Sequence, residues 1–355
     1  MLSLLRSTKI KFKYLLGLIL LVFAIFSYYQ YIQLSCYPLN IKNKDKGYTL
    51  EVFPNENFGS VLNRLQEDQV LSNNNKRYLY IFAKIKRYDR KIKKGEYLVI
   101  PGTTAIKLLQ QLSEGKVILH KFTIVEGLRF EQIINSLQNH PKIQKTITNL
   151  NCNNILRVIN RSVNNGDEPI KECEGLFLPN TYLFPKNTKD SDILQFAYDA
   201  MQNRLNNLWE SRSEQGILKS SYEALILASI IEKETSVISE MRRISGVYHR
   251  RLKLSMPLQA DPTVIYGLKI FDRPLSSLDL KKTSNYNTYR NRGLPPTPIT
   301  TPSVPAIVAA LNPVDDNSLY FVADGSGGHI FSASLLDHNK AISLIKKNNK
   351  ANSQQ

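Results

Sequence analysis

Apolar and polar positions fall into a repeated pattern over the first third of the chain. Leu50, Val52, Phe53, Phe58, Val61, Leu62 and Leu65 are matched at the same spacing by Tyr97, Val99, Ile100, Ala105, Leu108, Leu109 and Leu112. Phe122, Ile124, Val125, Phe130, Ile133, Ile134 and Leu137 repeat it again. Each copy alternates with period two, turns at Pro54-Asn55, Pro101-Gly102 or Glu126-Gly127, and continues at helical period, which predicts three strand-turn-helix units.

Further along, the periodicity is mainly helical. Asp190 and Asp192 open an amphipathic stretch that runs to Trp209. Ser220, with Glu223 three residues on, opens an apolar helix through Leu225, Ala228 and Ile231 to Thr235. Met241, Ile244, Val247, Tyr248 and Leu252 mark one face of the next helix, with Arg242, Arg243, Arg250 and Arg251 opposite. Ser318–Ser332 reads as a hairpin, with Asp-Gly and Gly-Gly between two apolar strands. Residues 141–175 are Asn-rich and predict short helices with polar connections, whereas 174–185, rich in aromatics and proline, reads as a rigid loop. The fold class is α+β: a single N-terminal transmembrane helix, a small strand-helix region, then a mixed α/β domain closed by the hairpin. The expected boundaries are a cytoplasmic tail at 1–13, a membrane anchor at 14–32, the repeated region at 48–140, the main domain at 141–345 and a polar tail at 346–355.

The anchor rests on Tyr14–Ile32, which contains no charge and is long enough to cross a bilayer. Arg6, Lys9, Lys11 and Lys13 precede it and predict a cytoplasmic N-terminus, so that everything after about residue 35 lies outside the inner membrane. A cleaved signal peptide or a lipidated Cys36 are the alternatives. The chain has 355 residues and a formal net charge of +17, which favours anionic partners. An exported location sets nucleic acid aside. It also permits Cys152 and Cys173 to pair, the alternative being two free thiols. The five histidines are scattered and no Cys/His cluster has ligand spacing, so no metal or cofactor is expected. The basic run Lys84–Lys94 is either a solvated face or a contact for acidic lipid or wall polymer.

Candidate chemistry concentrates in three stretches. In Leu227-Ala-Ser-Ile-Ile-Glu232-Lys-Glu-Thr235, Glu232 ends an apolar run, where partial burial would raise its pKa and suit it to act as a general acid; Lys233 and Glu234 stand beside it. The other possibility is a solvated helix-end glutamate. Leu258-Gln-Ala-Asp-Pro-Thr-Val-Ile-Tyr-Gly267 follows, where Pro262 predicts an extended Asp261 with a free carboxyl group. The third stretch, Ser284–Ile299, is dense in amide, hydroxyl and phenol groups that suit a sugar polymer, or equally a loop ordered by its prolines.

In this order behind an apolar N-terminus, Glu174-Gly-Leu-Phe-Leu-Pro-Asn-Thr-Tyr, the Glu232 and Asp261 stretches, Tyr286-Asn-Thr-Tyr289, Gly293-Leu-Pro-Pro296 and Tyr320-Phe-Val-Ala-Asp-Gly with Gly328-His-Ile-Phe331 resemble the YceG-like endolytic murein transglycosylases. The first repeat copy also resembles a degenerate LysM module, a unit that holds wall glycans, although it fits a packing unit with no ligand equally well. The family resemblance implies cleavage of peptidoglycan glycan strands without water, to leave 1,6-anhydroMurNAc ends. It implies that Glu232 is the catalytic acid; Gln259, Asp261, Thr263, Tyr286, Asn287 and Tyr289 are, by their place in these motifs and their chemistry, the candidates for orienting the sugar and the acid, or equally residues that only hold the structure. It further implies an inner-membrane enzyme beside peptidoglycan synthases that terminates strand elongation. A non-catalytic wall-binding scaffold and a hydrolytic glycosidase are the competing functions; the latter would need a second carboxyl group.

Overall fold

A computed structural model describes residues 2–160, 164–165, 168–169, 172–213 and 217–352. The chain forms two compact units, which divide between His120 and Lys121.

The first unit begins with α1 (Leu2–Cys36). From Lys13 onward this helix is long and apolar enough to cross a membrane. Then follow β1 (Tyr48–Val52), α2 (Phe58–Glu67), α3 (Asn73–Ile85), β2 (Gly95–Val99) and α4 (Ala105–Glu114). β1 and β2 pair antiparallel, with Leu50 opposite Tyr97 and Val52 opposite Gly95. Asn57, Ser72 and Thr104 cap the three helices that follow α1. The repeat is real in structure: its first two copies are β1-α2 and β2-α4, and their matched residues make this unit's core. Phe53 and Ile100, which leave the strands at the turn, are exposed in both copies.

The third copy is β3 (Leu119–Ile124) and α5 (Phe130–Asn139), and its core residues join the second unit. The repeat thus continues past the division between units, which lies between His120 and Lys121. β3 pairs with β7 (Asn180–Pro185), within the segment expected to be a loop. Its alternation is hidden because Phe184 is its one fully buried side chain. Between them lie β4 (Ile143–Gln144), α6 (Cys152–Val158), β5 (Asn164–Asn165) and β6 (Glu168–Pro169). Cys152 and Cys173 form a disulfide with a Cα separation of 5.2 Å, so of the two alternatives left open by the sequence the bridge is the one present.

After β8 (Thr188–Lys189), which pairs with β4, the helical layer begins: α7 (Asp190–Glu210), α8 (Ser221–Glu234), α9 (Ile238–Lys253), α10 (Asp261–Leu268) and α11 (Val304–Leu311). α8 is apolar on every side and buried from Ala224 to Ile231, the pattern of a helix at the centre of a core. Ser220 caps it as expected, while the Glu223 side chain accepts from Lys219 N rather than from the cap. β9 (Tyr320–Ala323) and β10 (His329–Ser332) form the expected hairpin, and α12 (Leu335–Asn352) follows.

Arg251, expected on the polar side of α9, is instead buried. Its guanidinium donates to Leu319 O and Leu258 O and lies over Tyr320, fixing the hairpin and the start of the 258–267 segment to α9.

Candidate active site

The last turn of α8 carries two glutamates whose side chains leave the helix about 200° apart, since each residue turns about 100°. Glu232 Oε2 accepts from Ser303 N at 2.9 Å, where Ser303 caps α11. Partial burial raises its pKa, and the Ser303 bonds oppose that rise. Around it, Gly127 N donates to Thr301 O and Thr301 N to Leu128 O, tying the 126–128 turn to the segment before α11.

Glu234 enters different surroundings. Its Oε1 accepts from Tyr248 OH at 2.7 Å, and it lines a cavity of about 370 Å³ with Arg251, Gln259, Asp261, Tyr289 and His329. Burial pushes this carboxyl group up to about 7, against the lowering by the Tyr248 bond, and Asp261 adds to the rise. A carboxylic acid half-occupied by its proton near neutrality can donate to a leaving oxygen and then take a proton back. The opposing cavity wall is fixed by Tyr289 OH, which donates to Asp261 Oδ1 at 2.6 Å. His338 stacks on Tyr320 and lines this cavity as well.

The structure separates the sequence-derived candidates into three groups. Gln259, Asp261 and Tyr289 meet at Glu234, and Glu232 lines neither this cavity nor the larger one described below. Thr263 and Asn287 are fully buried. Thr263 Oγ1 donates to Ala260 O, while the Asn287 amide donates to Leu280 O and Lys282 O and accepts from Tyr289 N. Both shape the wall from behind, and neither side chain is open to a sugar. Asp261 is helical rather than extended: it begins α10 with Pro262 in the first turn, a position proline tolerates because that N–H has no helical partner.

Tyr286 stands apart from the Glu234 group. It lines a cavity of about 630 Å³ at the other end of α10, with Arg129, Glu172, Glu174, Tyr266 and Lys269. Glu174, only 5% exposed, accepts from Phe130 N at 2.7 Å and from Tyr266 OH at 3.2 Å. Burial pushes its carboxyl group up to about 7. Nothing in the sequence marks Glu174 for this place beyond its following Cys173 and opening a motif. Gly175, at φ +76°, packs where a Cβ would meet Pro298 at 2.8 Å, which explains the Glu-Gly pair. Ser229 was also missed: its buried hydroxyl accepts from Ile299 N at 3.0 Å and stitches the proline-rich segment to α8.

A core helix ends at a polar cavity lined by two carboxyl groups, in an α+β chain whose N-terminal helix is able to cross a membrane. The YceG-like family matches residues 50–344, and the chain belongs to that family. It is 34% identical over 260 residues to an endolytic murein transglycosylase of Bacillus subtilis, covering 70% of this chain and 71% of that protein. It is 26% identical to the endolytic murein transglycosylase of Streptococcus pneumoniae over 88% of this chain, and spans 61% of that longer protein. The crystal structure of a putative yceG-like protein from Listeria monocytogenes superposes with a TM-score of 0.54 at 27% identity, covering 82% of this chain and 98% of that one.

Proposed function

We propose that this chain is a membrane-anchored lytic transglycosylase that cuts peptidoglycan glycan strands internally, with Glu234 rather than Glu232 as its acid and base. The observation that carries this assignment is the cavity, where Glu234, held near 7, faces Gln259, Asp261 and Tyr289. Glu234 protonates the oxygen between MurNAc and GlcNAc. As a carboxylate it then accepts the proton of the MurNAc C6 hydroxyl while that oxygen closes on C1, giving a 1,6-anhydro end. An intramolecular nucleophile needs no second carboxyl group to activate water, because its effective concentration is already high. The Tyr248 hydroxyl keeps the acid in one orientation, and the Asp261 carboxyl group, held by Tyr289, is available to offset positive charge at C1.

The basic N-terminal flank supports a cytoplasmic N-terminus and an exported catalytic unit, where nascent strands leave the synthases; cutting there would end elongation. The β1-α2-α3-β2 order with antiparallel outer strands supports the LysM-like reading of the first unit as a glycan holder.

The test is mass spectrometry of products from defined uncrosslinked strands treated with the full chain in detergent. Anhydro ends that disappear in Glu234→Gln are the expected result. New reducing ends would make the enzyme a hydrolase, and binding without new ends would leave it a scaffold.

A further inference from the structure

The second half of α3 carries aliphatic and aromatic side chains at every position from 78 to 85 except Lys84. Tyr78-Leu-Tyr-Ile-Phe-Ala-Lys-Ile85 buries Leu79 and Ala83 in the core. Its Tyr78 and Phe82 lie against Phe26 and Tyr31 of α1, with ring centroids 5.8 and 6.1 Å apart. Away from the core, Ile81 and Ile85 are exposed by 52% and 72%, while the partly exposed Tyr80 stacks on Phe58 of the core. Exposed aliphatic side chains next to a helix able to cross a membrane fit a lipid interface better than open water.

The position of α3 along α1 indicates which membrane it meets. Phe26 is ten residues, about 15 Å, before the end of α1, so the contact falls within or at the edge of any bilayer that α1 crosses. The start of α3, Asn73-Asn-Asn-Lys-Arg77, is too polar for hydrocarbon, which places the helix at the boundary rather than inside it. Directly after the exposed isoleucines, residues 84–94 hold seven Lys or Arg and one Asp. Lys84 pairs with Asp89 at 2.8 Å and sits 5.6 Å above the Tyr80 ring, the posture of an amphipathic side chain at an interface.

We propose that α3 and the 84–94 run form a membrane-docking face: Ile81 and Ile85 enter the headgroup and acyl boundary while the basic run contacts anionic lipid. The first unit then lies against the bilayer instead of hanging from a free stalk. This rests on α1 spanning the membrane, which stable incorporation into nanodiscs reports separately.

The experiment uses the full chain carrying Cys36→Ser with either Ile85→Cys or Ile81→Cys, labelled with a polarity-sensitive fluorophore. It is reconstituted in phosphatidylcholine nanodiscs with or without phosphatidylglycerol. Leu278→Cys, exposed in the second unit, is the reference site. Blue-shifted emission at 85 and 81, quenched by bilayer-embedded nitroxide about twofold more with phosphatidylglycerol, is the expected result. Replacing Lys91, Lys93 and Lys94 by Glu should remove that lipid dependence. Emission matching the Leu278 site in both nanodiscs overturns the proposal, as does a shift produced only by added anionic wall polymer.

Discussion

The two faces of the last turn of α8 carry the same side chain and do opposite things with it. On one, Glu232 accepts from Ser303 N, where a helix N-terminus favours negative charge. On the other, Glu234 meets a phenol, an aspartate and an open cavity, and burial keeps its proton to about pH 7. A buried helix delivers both groups equally well. The wall opposite each sets its surroundings: a helix N-terminus for Glu232, a phenol and a polar cavity for Glu234.

The largest effect that separates them is on turnover. Glu234→Gln should lower the rate of anhydro-end formation by about 10³-fold or more, the scale of losing a general acid that also serves as base. Glu232→Gln should stay within about tenfold of the parent, because its amide oxygen can still accept from Ser303 N. Chromatography of digested strands measures both, and the reverse ranking would return the acid to Glu232.

A second contrast lies within the wall itself. Asn287→Ala should cost about 2–4 kcal/mol in denaturant unfolding, because Leu280 O and Lys282 O lose a buried donor and Tyr289 N loses its acceptor. Gln259→Ala, at an exposed cavity residue, should leave stability within about 0.5 kcal/mol and act instead on KM or kcat. A stable Asn287→Ala protein with lost activity would put Asn287 in contact with substrate after all.

Why the sequence separated these residues only in part follows from what each periodicity encodes. Core positions repeat at 2.0 or 3.6 residues, so the three strand-helix copies, α7, α8, α9 and the hairpin were all legible from Leu50 to Phe331. The rank of Glu232 over Glu234 was not, since both follow the same apolar run and neither partner, Ser303 nor Tyr248, is near in sequence. Thr263 and Asn287 have the chemistry of sugar-binding groups and spend it on backbone carbonyls. Arg251 looked solvated because three other arginines share its helix, whereas only this one finds the carbonyls of residues 258 and 319. β7 escaped notice because a strand with one buried side chain leaves almost no alternation to read.

The smallest predicted effect concerns pH and follows from the sign of the shifts. Glu234 and Glu174 both have folded pKa values near 7, above the ordinary 4.5. The folded protein therefore holds these protons longer than the unfolded chain does. The resulting stability is complete below about pH 4.5 and is lost as pH rises through 7. Each carboxyl group should contribute a fall on the order of 2 kcal/mol between pH 5 and 8. Glu234→Gln and Glu174→Gln should each flatten that slope, and Glu232→Gln less so, because the Ser303 bonds oppose its rise. Urea unfolding of the full chain in detergent at several pH values measures it. The activity of the parent should fall over the same upper range, as the acid at Glu234 loses its proton, so a rate that keeps rising past pH 8 would contradict an acid with this pKa.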